Sequence, residues 1–291
     1  MAEMNVRYTY RVRVSRTAEA RLGAEWDRVR WVWNECVARS KAFRRAGETC
    51  GPARLDKDLT LARSANGWLR EGSSVPQQQV IRDFGAARAK AIKDVAKRLP
   101  MKQRRGFPVL KKKARSCPSM NYTKNGFSLQ DGRLHLAGGI VVIPVWSREL
   151  PSPPSSVRVS RDTTGKWWAS FVVLAQTQPL APNLATIGVD WGVTETATTT
   201  DQTFDLPHAG HGKSAADKRA RYQKMMARRQ PPKGKPASKG YREAKKLAAE
   251  VSGQVARRRR DDARKWAKSV VRRYHRIAVE DFRPKFLAKS T

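Results

Sequence analysis

The sequence predicts an α+β chain of several domains. A β-barrel carries an inserted helical unit, and an α/β region with a basic helical hairpin follows it. Three observations point there. Apolar residues alternate with polar ones over residues 6–14, the period changes to a helical one over 17–100, and after Gly106 short β-type runs return between turn residues.

In the first run Val6, Tyr8, Tyr10, Val12 and Val14 form one face of a strand, and Arg7, Arg11 and Arg13 stand on the other. A helix is expected to begin near Thr17 as N-cap, with Leu22, Trp26, Val29, Trp33, Cys36 and Val37 on one stripe. A second helix is expected after Ser73-Ser74, with Pro76 in its first turn, a stripe of Val80, Phe84, Ala87, Ala91 and Val95, and Pro100 just beyond its end. Further on, Phe127 and Leu129 should face Leu134 and Leu136 across Asp131-Gly132, a strong hairpin signal. Ile140–Val145 reads as a strand, and Val157–Val159 should pair with Trp167–Leu174 across residues 162–165. Pro151–Pro154 and Pro179–Pro182 read as connectors.

From Thr186 the pattern suits strands at 187–193, 194–200 and 203–206, then two amphipathic basic helices separated by the Pro/Lys/Gly/Ser segment 230–240. A short strand, Ile277–Phe282, follows.

Charge restricts the function. Lys and Arg total 60 against 25 Asp and Glu, a net +35, and residues 211–291 hold 26 basic and 7 acidic side chains. Such a chain repels itself unless a polyanion neutralises it, which makes nucleic acid the expected partner. Arg257, Arg258, Arg259 and Arg260 make one full helical turn of guanidiniums, and Lys111, Lys112 and Lys113 form a second cluster. Tyr122 and Trp168 could stack on bases. No run approaches the roughly 18 apolar residues of a membrane span, and no signal pattern opens the chain, so a cytoplasmic, nucleoid-associated protein is expected. Three widely spaced cysteines, Cys36, Cys50 and Cys117, fit neither a disulfide scaffold nor a Cys-x-x-Cys zinc site. His208 and His211 have no third ligand near them in sequence and read as an exposed turn. There is no P-loop.

Two acidic residues interrupt apolar strands. Gly188, Asp190 and Gly192 share a strand face while Ile187 and Val189 share the other, so a carboxylate flanked by glycines would stand in open space. Ala278 and Glu280 face away from Ile277 and Val279, and Asp281 faces away from Glu280. Alone, Asp190 reads equally as a strand-end cap and Glu280 as a surface residue. Together, their order is that of an RNase H-like nuclease core: a strand with Asp, two strands, basic helices, then a strand with Glu. Phosphodiester hydrolysis builds charge on attacking and leaving oxygens, which Mg²⁺ ions ~4 Å apart stabilise. Magnesium takes carboxylate oxygens and keeps waters.

The chain resembles the transposon-encoded TnpB (OrfB-type) proteins, RNA-guided nucleases related to compact type V CRISPR effectors. The resemblance is carried in order by residues 29–34 (VRWVWN), 107–113 (FPVLKKK), 165–168 (GKWW), 187–193 (IGVDWGV), 258–262 (RRRDD) and 277–282 (IAVEDF). It implies a wedge-like barrel from 1–22 and 105–180, a recognition insert over 23–104, and a partial RuvC/RNase H-like domain over 181–291 with a basic helical insertion at 213–275. It also implies guide RNA and target DNA as partners, with Asp190 and Glu280 as two catalytic carboxylates on Mg²⁺. Family members continue into a four-cysteine zinc finger and a helix with a third aspartate. This sequence has neither after Glu280, so zinc is not expected and the chain is expected to be cleavage-deficient as it stands. A nuclease-inactive RNA- and DNA-binding module and a DNA transposase remain the alternative readings.

Overall fold

The structure is a computed structural model that describes residues 2–177, 183–192, 194–232 and 234–280. The expected connector at 179–182, Val193, and Asp281 and Phe282 of the last strand lie outside the described residues. Residues 2–177 form one compact unit, and those from 183 onward form another.

In the first unit, strand β1 (Ala2–Arg13) leads into helix α1 (Arg16–Arg45). Three further helices follow: α2 (Pro52–Ala65), α3 (Gly67–Glu71) and α4 (Ser74–Ala96). Six strands complete it: β2 (Ser119–Thr123), β3 (Phe127–Gln130), β4 (Arg133–Leu136), β5 (Ile140–Pro144), β6 (Ser156–Arg161) and β7 (Trp167–Thr177). The seven strands make one antiparallel, nearly closed sheet in the order β2-β6-β7-β1-β5-β4-β3. The first strand of the chain therefore sits in the middle of the sheet, with the helices connecting it to later strands.

Alternation builds the core as expected. Tyr10 and Val12 are buried, with Tyr8 and Val14 packed partly against the same cluster, while Arg7, Arg11 and Arg13 are exposed. Inward residues of the sheet meet Leu22, Trp26, Val29 and Val32 of α1 and Val80, Ile81 and Phe84 of α4 in one continuous core. Each such aliphatic side chain contributes about 1.5–3 kcal/mol when fully buried. Helices and sheet thus share a single apolar interior.

The boundaries differ from the sequence expectation in explicable ways. Helix α1 is capped by Ser15, whose hydroxyl accepts from the Ala18 amide, so Thr17 lies inside the first turn. Helix α2 was not expected; it begins with Pro52 at its first position, where a missing N–H costs nothing. Strand β2 was also missed, although Met120 and Tyr122 alternate with polar residues and are fully buried. Tyr122 is therefore core and is not a base-stacking platform.

The β3–β4 hairpin has the expected register, Phe127 opposite Leu136 and Leu129 opposite Leu134. Asp131 and Gly132 both take positive φ, 49° and 71°, the two-residue turn that matches strand twist. The family-like segments 29–34 and 107–113 lock together. The Trp33 indole donates to the Val109 carbonyl at 2.8 Å, and the Asn34 amide both donates to and accepts from the Lys111 backbone at 3.2 and 2.8 Å.

Between β6 and β7, Asp162 organises the turn. Its carboxylate accepts from the Thr164 amide and hydroxyl, the Lys166 amide and the Trp168 indole, at 2.6–2.9 Å. Desolvation pushes this carboxyl up, but the four donors outweigh it and hold it below the usual aspartate range. A depressed folded-state pKa gives stability that is complete above the unfolded value, about 3.9, and lost as pH falls through the folded value. Asp162→Ala is expected to lower stability by about 1–3 kcal/mol at neutral pH. In denaturant melts the gap to the parent chain should narrow as pH drops below about 4; a gap independent of pH would contradict this role.

In the second unit, β8 (Thr186–Asp190) lies between β9 (Thr198–Thr199) and β10 (Arg276–Val279). Helices α5 (His211–Ser214), α6 (Ala216–Arg228) and α7 (Lys239–Arg273) fall between β9 and β10 in sequence. The sequence predicted longer strands here. Only Thr198 and Thr199 pair with β8, and residues 202–204 form a 3₁₀ turn capped by Asp201 instead of a strand. Asp201 and Asp205 explain the difference. Asp201 accepts from Thr203 and the Tyr274 hydroxyl, and Asp205 accepts from the amide and hydroxyl of Thr199, curling the chain back after two residues.

Candidate active site and nucleic-acid surfaces

Strand β8 is anchored by Ile187 and Val189, 0% and 5% exposed, and its alternate residues emerge from the core. Asp190 is the last residue of the strand and is exposed. On one side it pairs with Thr198 of antiparallel β9. On the other, β10 runs parallel to β8, with Ile277 beside Ile187, Ala278 beside Gly188 and Val279 beside Val189. One step further along both strands stand Asp190 and Glu280.

The two carboxyls, ninety positions apart, are in direct contact. Glu280 is held above the usual glutamate range by a hydrogen bond with the Asp190 carboxyl first, then by partial desolvation and the Asp190 charge. Two carboxylates this close favour keeping a proton between them or binding a cation. They open onto a groove floored by Gly188, Ala278 and Thr198–Thr200. Its donor set is hard oxygen, which suits Mg²⁺ or Mn²⁺. Among the described residues no third His, Cys, Asp or Glu joins them in a metal-binding group.

The glycines beside Asp190 have a different purpose from the open space expected of them. A Cβ at Gly188 would meet the Thr200 methyl at 3.0 Å, and one at Gly192 would meet the Glu195 carbonyl oxygen at 2.9 Å. They allow the following loop to pack closely against the strand. Thr200 fills the place beside Gly188, its hydroxyl accepting from the Gly188 amide at 3.0 Å and its amide donating to the Gly188 carbonyl at 3.1 Å.

The expected basic contacts separate into open and committed groups. Arg7, Arg11 and Arg13 line the exposed face of β1, with Trp168 opposite Arg11 on β7. Arg257, Arg258, Arg259 and Arg260 are all exposed on α7. The lysine cluster is divided. Lys111 is half-buried, its ammonium 3.7 Å from the centre of the Trp33 ring, and burial holds its pKa below the usual lysine value. Lys113 pairs with Asp27 at 2.6 Å, and Lys112 is exposed. Of the two histidines, His211 pairs through Nε2 with Asp262 at 2.6 Å, and the His208 ring accepts from the Gly210 amide. Sequence reading missed the His211–Asp262 pair, because fifty residues of helical hairpin separate its members.

The chain is similar to known proteins in sequence and in fold. The family model OrfB_IS605, described as "Probable transposase", matches residues 157–291. A Streptomyces pristinaespiralis protein named "Putative RNA-guided DNA endonuclease" is 28% identical over 300 residues, covering 100% of this chain and 70% of the relative. "Putative RNA-guided DNA endonuclease InsQ" of Escherichia coli K12 is 25% identical over 273 residues, covering 90% of this chain and 62% of that protein. Among solved structures, the Cas12f1 chain of a Cas12f1–sgRNA–target DNA complex has the same overall fold. Its TM-score is 0.51 at 9% identity, over 97% of this chain and 82% of that one. Residues 157–291 thus match the OrfB_IS605 transposase family model, and the chain along its length is similar to proteins named as putative RNA-guided DNA endonucleases.

Proposed function

We propose that this chain acts in RNA-guided recognition and cleavage of DNA, with the partial RuvC-like nuclease site at Asp190 and Glu280. The observation that carries the reading is the contact of two carboxylates at the ends of parallel strands in a chain of net charge +35. Structural features with no functional demand rarely bring two acids together while sixty cations are available to pair with them. Base pairing with a guide RNA would supply sequence choice, and the protein would hold the duplex by backbone and shape.

The chemistry follows from the site. A divalent metal bound there would supply charge stabilisation for the attacking and leaving oxygens of a phosphodiester. Asp190 and Glu280 would hold it through carboxylate oxygens, and water or a substrate phosphate would complete the shell. The Gly188–Thr200 packing fixes the strand end that carries Asp190, so the carboxylate needs little reorganisation. Arginines of α7 and the outward arginines of β1 would neutralise nucleic-acid phosphates. The resemblance-based wedge, recognition and nuclease segments, 1–22 with 105–180, 23–104 and 181–291, belong to this reading.

A nuclease-inactive binder is the second reading, favoured by the presence of only two clustered carboxylates among the described residues. One assay separates them. With cognate guide RNA, a matched DNA target and Mg²⁺, any cleavage the chain supports should fall in Asp190→Ala by at least about 10²-fold, as expected for loss of a metal-holding group. Guide binding should be retained. Cleavage that survives Asp190→Ala would remove this residue from the chemistry, and an intact chain that binds but never cuts would leave the binder.

Charge gives an independent check. Guide RNA affinity should fall steeply and linearly in log–log form with salt, and each phosphate-contacting arginine removed should lower that slope by about one. Arg257→Ala and Arg260→Ala are expected to do so, whereas Lys111→Ala, which removes a cation laid on Trp33, should change stability more than slope. Equal slopes for all three would contradict the division of the basic residues.

A further inference from the structure

A second hollow lies in the same unit as the two carboxylates, and it begins two residues beyond Asp190, at Gly192. We propose that it seats one nucleotide of the single-stranded DNA presented to the Asp190–Glu280 groove. This rests on the nuclease reading and adds to it a binding subsite with its own side chains.

The hollow combines an aromatic wall with a cationic one. Trp266 supplies the first: its indole N–H donates to the Phe204 carbonyl at 2.5 Å, which fixes the ring, and Trp191 meets it edge-on with centroids 6.0 Å apart. Trp191, 37% exposed, lies in sequence directly between Asp190 in the groove and Gly192 in the hollow. A ring held this way offers a base a stacking face at little entropic cost, and stacking tolerates any base.

Arg259 supplies the cation, about two turns before Trp266 on the same helix. Its guanidinium lies across α5 where glycine leaves room, since a Cβ at Gly212 would be 2.8 Å from Nη2. The acids nearby are already engaged. Asp262 pairs with His211 at 2.6 Å, and Asp261 pairs with Lys265 at 2.7 Å. Among the described residues Arg259 has no carboxylate partner, so the guanidinium is available to a phosphate, to which it can present two parallel donors. Asp262, the carboxylate among the lining residues, is held by the His211 ring and lies beside Lys265 in the lining, which offsets its charge toward an approaching anion. Arg259 and Trp266 lie about two helical turns apart on one face of α7, so the hollow offers a single nucleotide both stacking for its base and a charge-assisted contact for its phosphate. Double-stranded DNA has no splayed base to offer such a hollow, whereas a strand passing into the carboxylate groove does.

Photo-crosslinking tests this with the full chain and a single-stranded DNA oligonucleotide carrying one 5-iodo-deoxyuridine, in chelator so that no cleavage intervenes. Peptide mass mapping should place an adduct on Trp191 or Trp266. Arg259→Ala should reduce that adduct roughly tenfold or more, the loss of a charged hydrogen-bond contact, while Lys246→Ala, an exposed cation elsewhere on α7 that does not line the hollow, should leave it nearly unchanged. Unaltered melting curves would show that Arg259→Ala folds normally. Asp190→Ala should keep the adduct, so failure of the catalytic assignment would appear in cleavage and not here. The proposal is overturned by adducts mapping only elsewhere, by equal losses in Lys246→Ala and Arg259→Ala, by loss in Asp190→Ala, or by a matched RNA oligonucleotide crosslinking there in place of DNA.

Discussion

Two negative groups held in contact at the ends of neighbouring parallel strands are the constraint around which the second unit is built. Their mutual repulsion must be overcome by something fixed, and the fixing is apolar. Ile187 and Val189 are buried on the back of β8 while Asp190 is left exposed at its end. The parallel register Ile277 to Ile187 and Val279 to Val189 then carries Glu280 alongside it. Slipping that register by one residue would point Glu280 to the opposite face of the sheet. The close packing of Gly188 on Thr200 and of Gly192 on the Glu195 carbonyl holds the strand end still. The raised pKa of Glu280 is the consequence, and a hard divalent cation would relieve the repulsion between the two carboxylates.

The rest of the acidic inventory shows why this pair is unusual. Asp162 is used up by four donors in a turn, Asp201 and Asp205 curl the chain after β9, Asp27 holds Lys113, and Asp262 holds His211. With 25 acids set among 60 bases, about half of the carboxylates in the described residues pair with a basic side chain or a backbone amide. Asp190 and Glu280 face each other instead. That is a costly arrangement for stability alone and a useful one for collecting metal at a phosphodiester.

Much of this was legible in the sequence where a local pattern fixes the geometry. Period-two alternation placed Asp190 on the outward face of β8, and Asp131-Gly132 fixed a hairpin register that the structure reproduces; in β10 the expected inward face is absent, since Ile277 and Val279 are exposed and Glu280 follows the strand's last residue. The positive charge of 257–260 and of β1 remained exposed, as amphipathic spacing implies. What was lost depends on contacts distant in sequence. The threonine-rich stretch 194–206 looks like strand by composition, yet Asp201 and Asp205 cap it into a turn. The lysine triplet reads as one patch, yet Trp33 and Asp27 draw off Lys111 and Lys113 from helix α1. Glycines flanking Asp190 suggested open space, whereas they mark close packing. No short-range signal distinguishes these outcomes, because each is decided by a partner tens of residues away.

The carboxylate contact can be observed without guide, target or metal. Side-chain carboxyl resonances of Glu280, followed by carbon-detected NMR across acidic pH in metal-free buffer, report its titration in the full chain and in Asp190→Ala. Glu280 is expected to titrate above the ordinary glutamate range in the parent chain and to fall back toward it when Asp190 is removed. A Glu280 that titrates as an isolated surface glutamate in both proteins would contradict the meeting of the two residues, and with it the nuclease assignment.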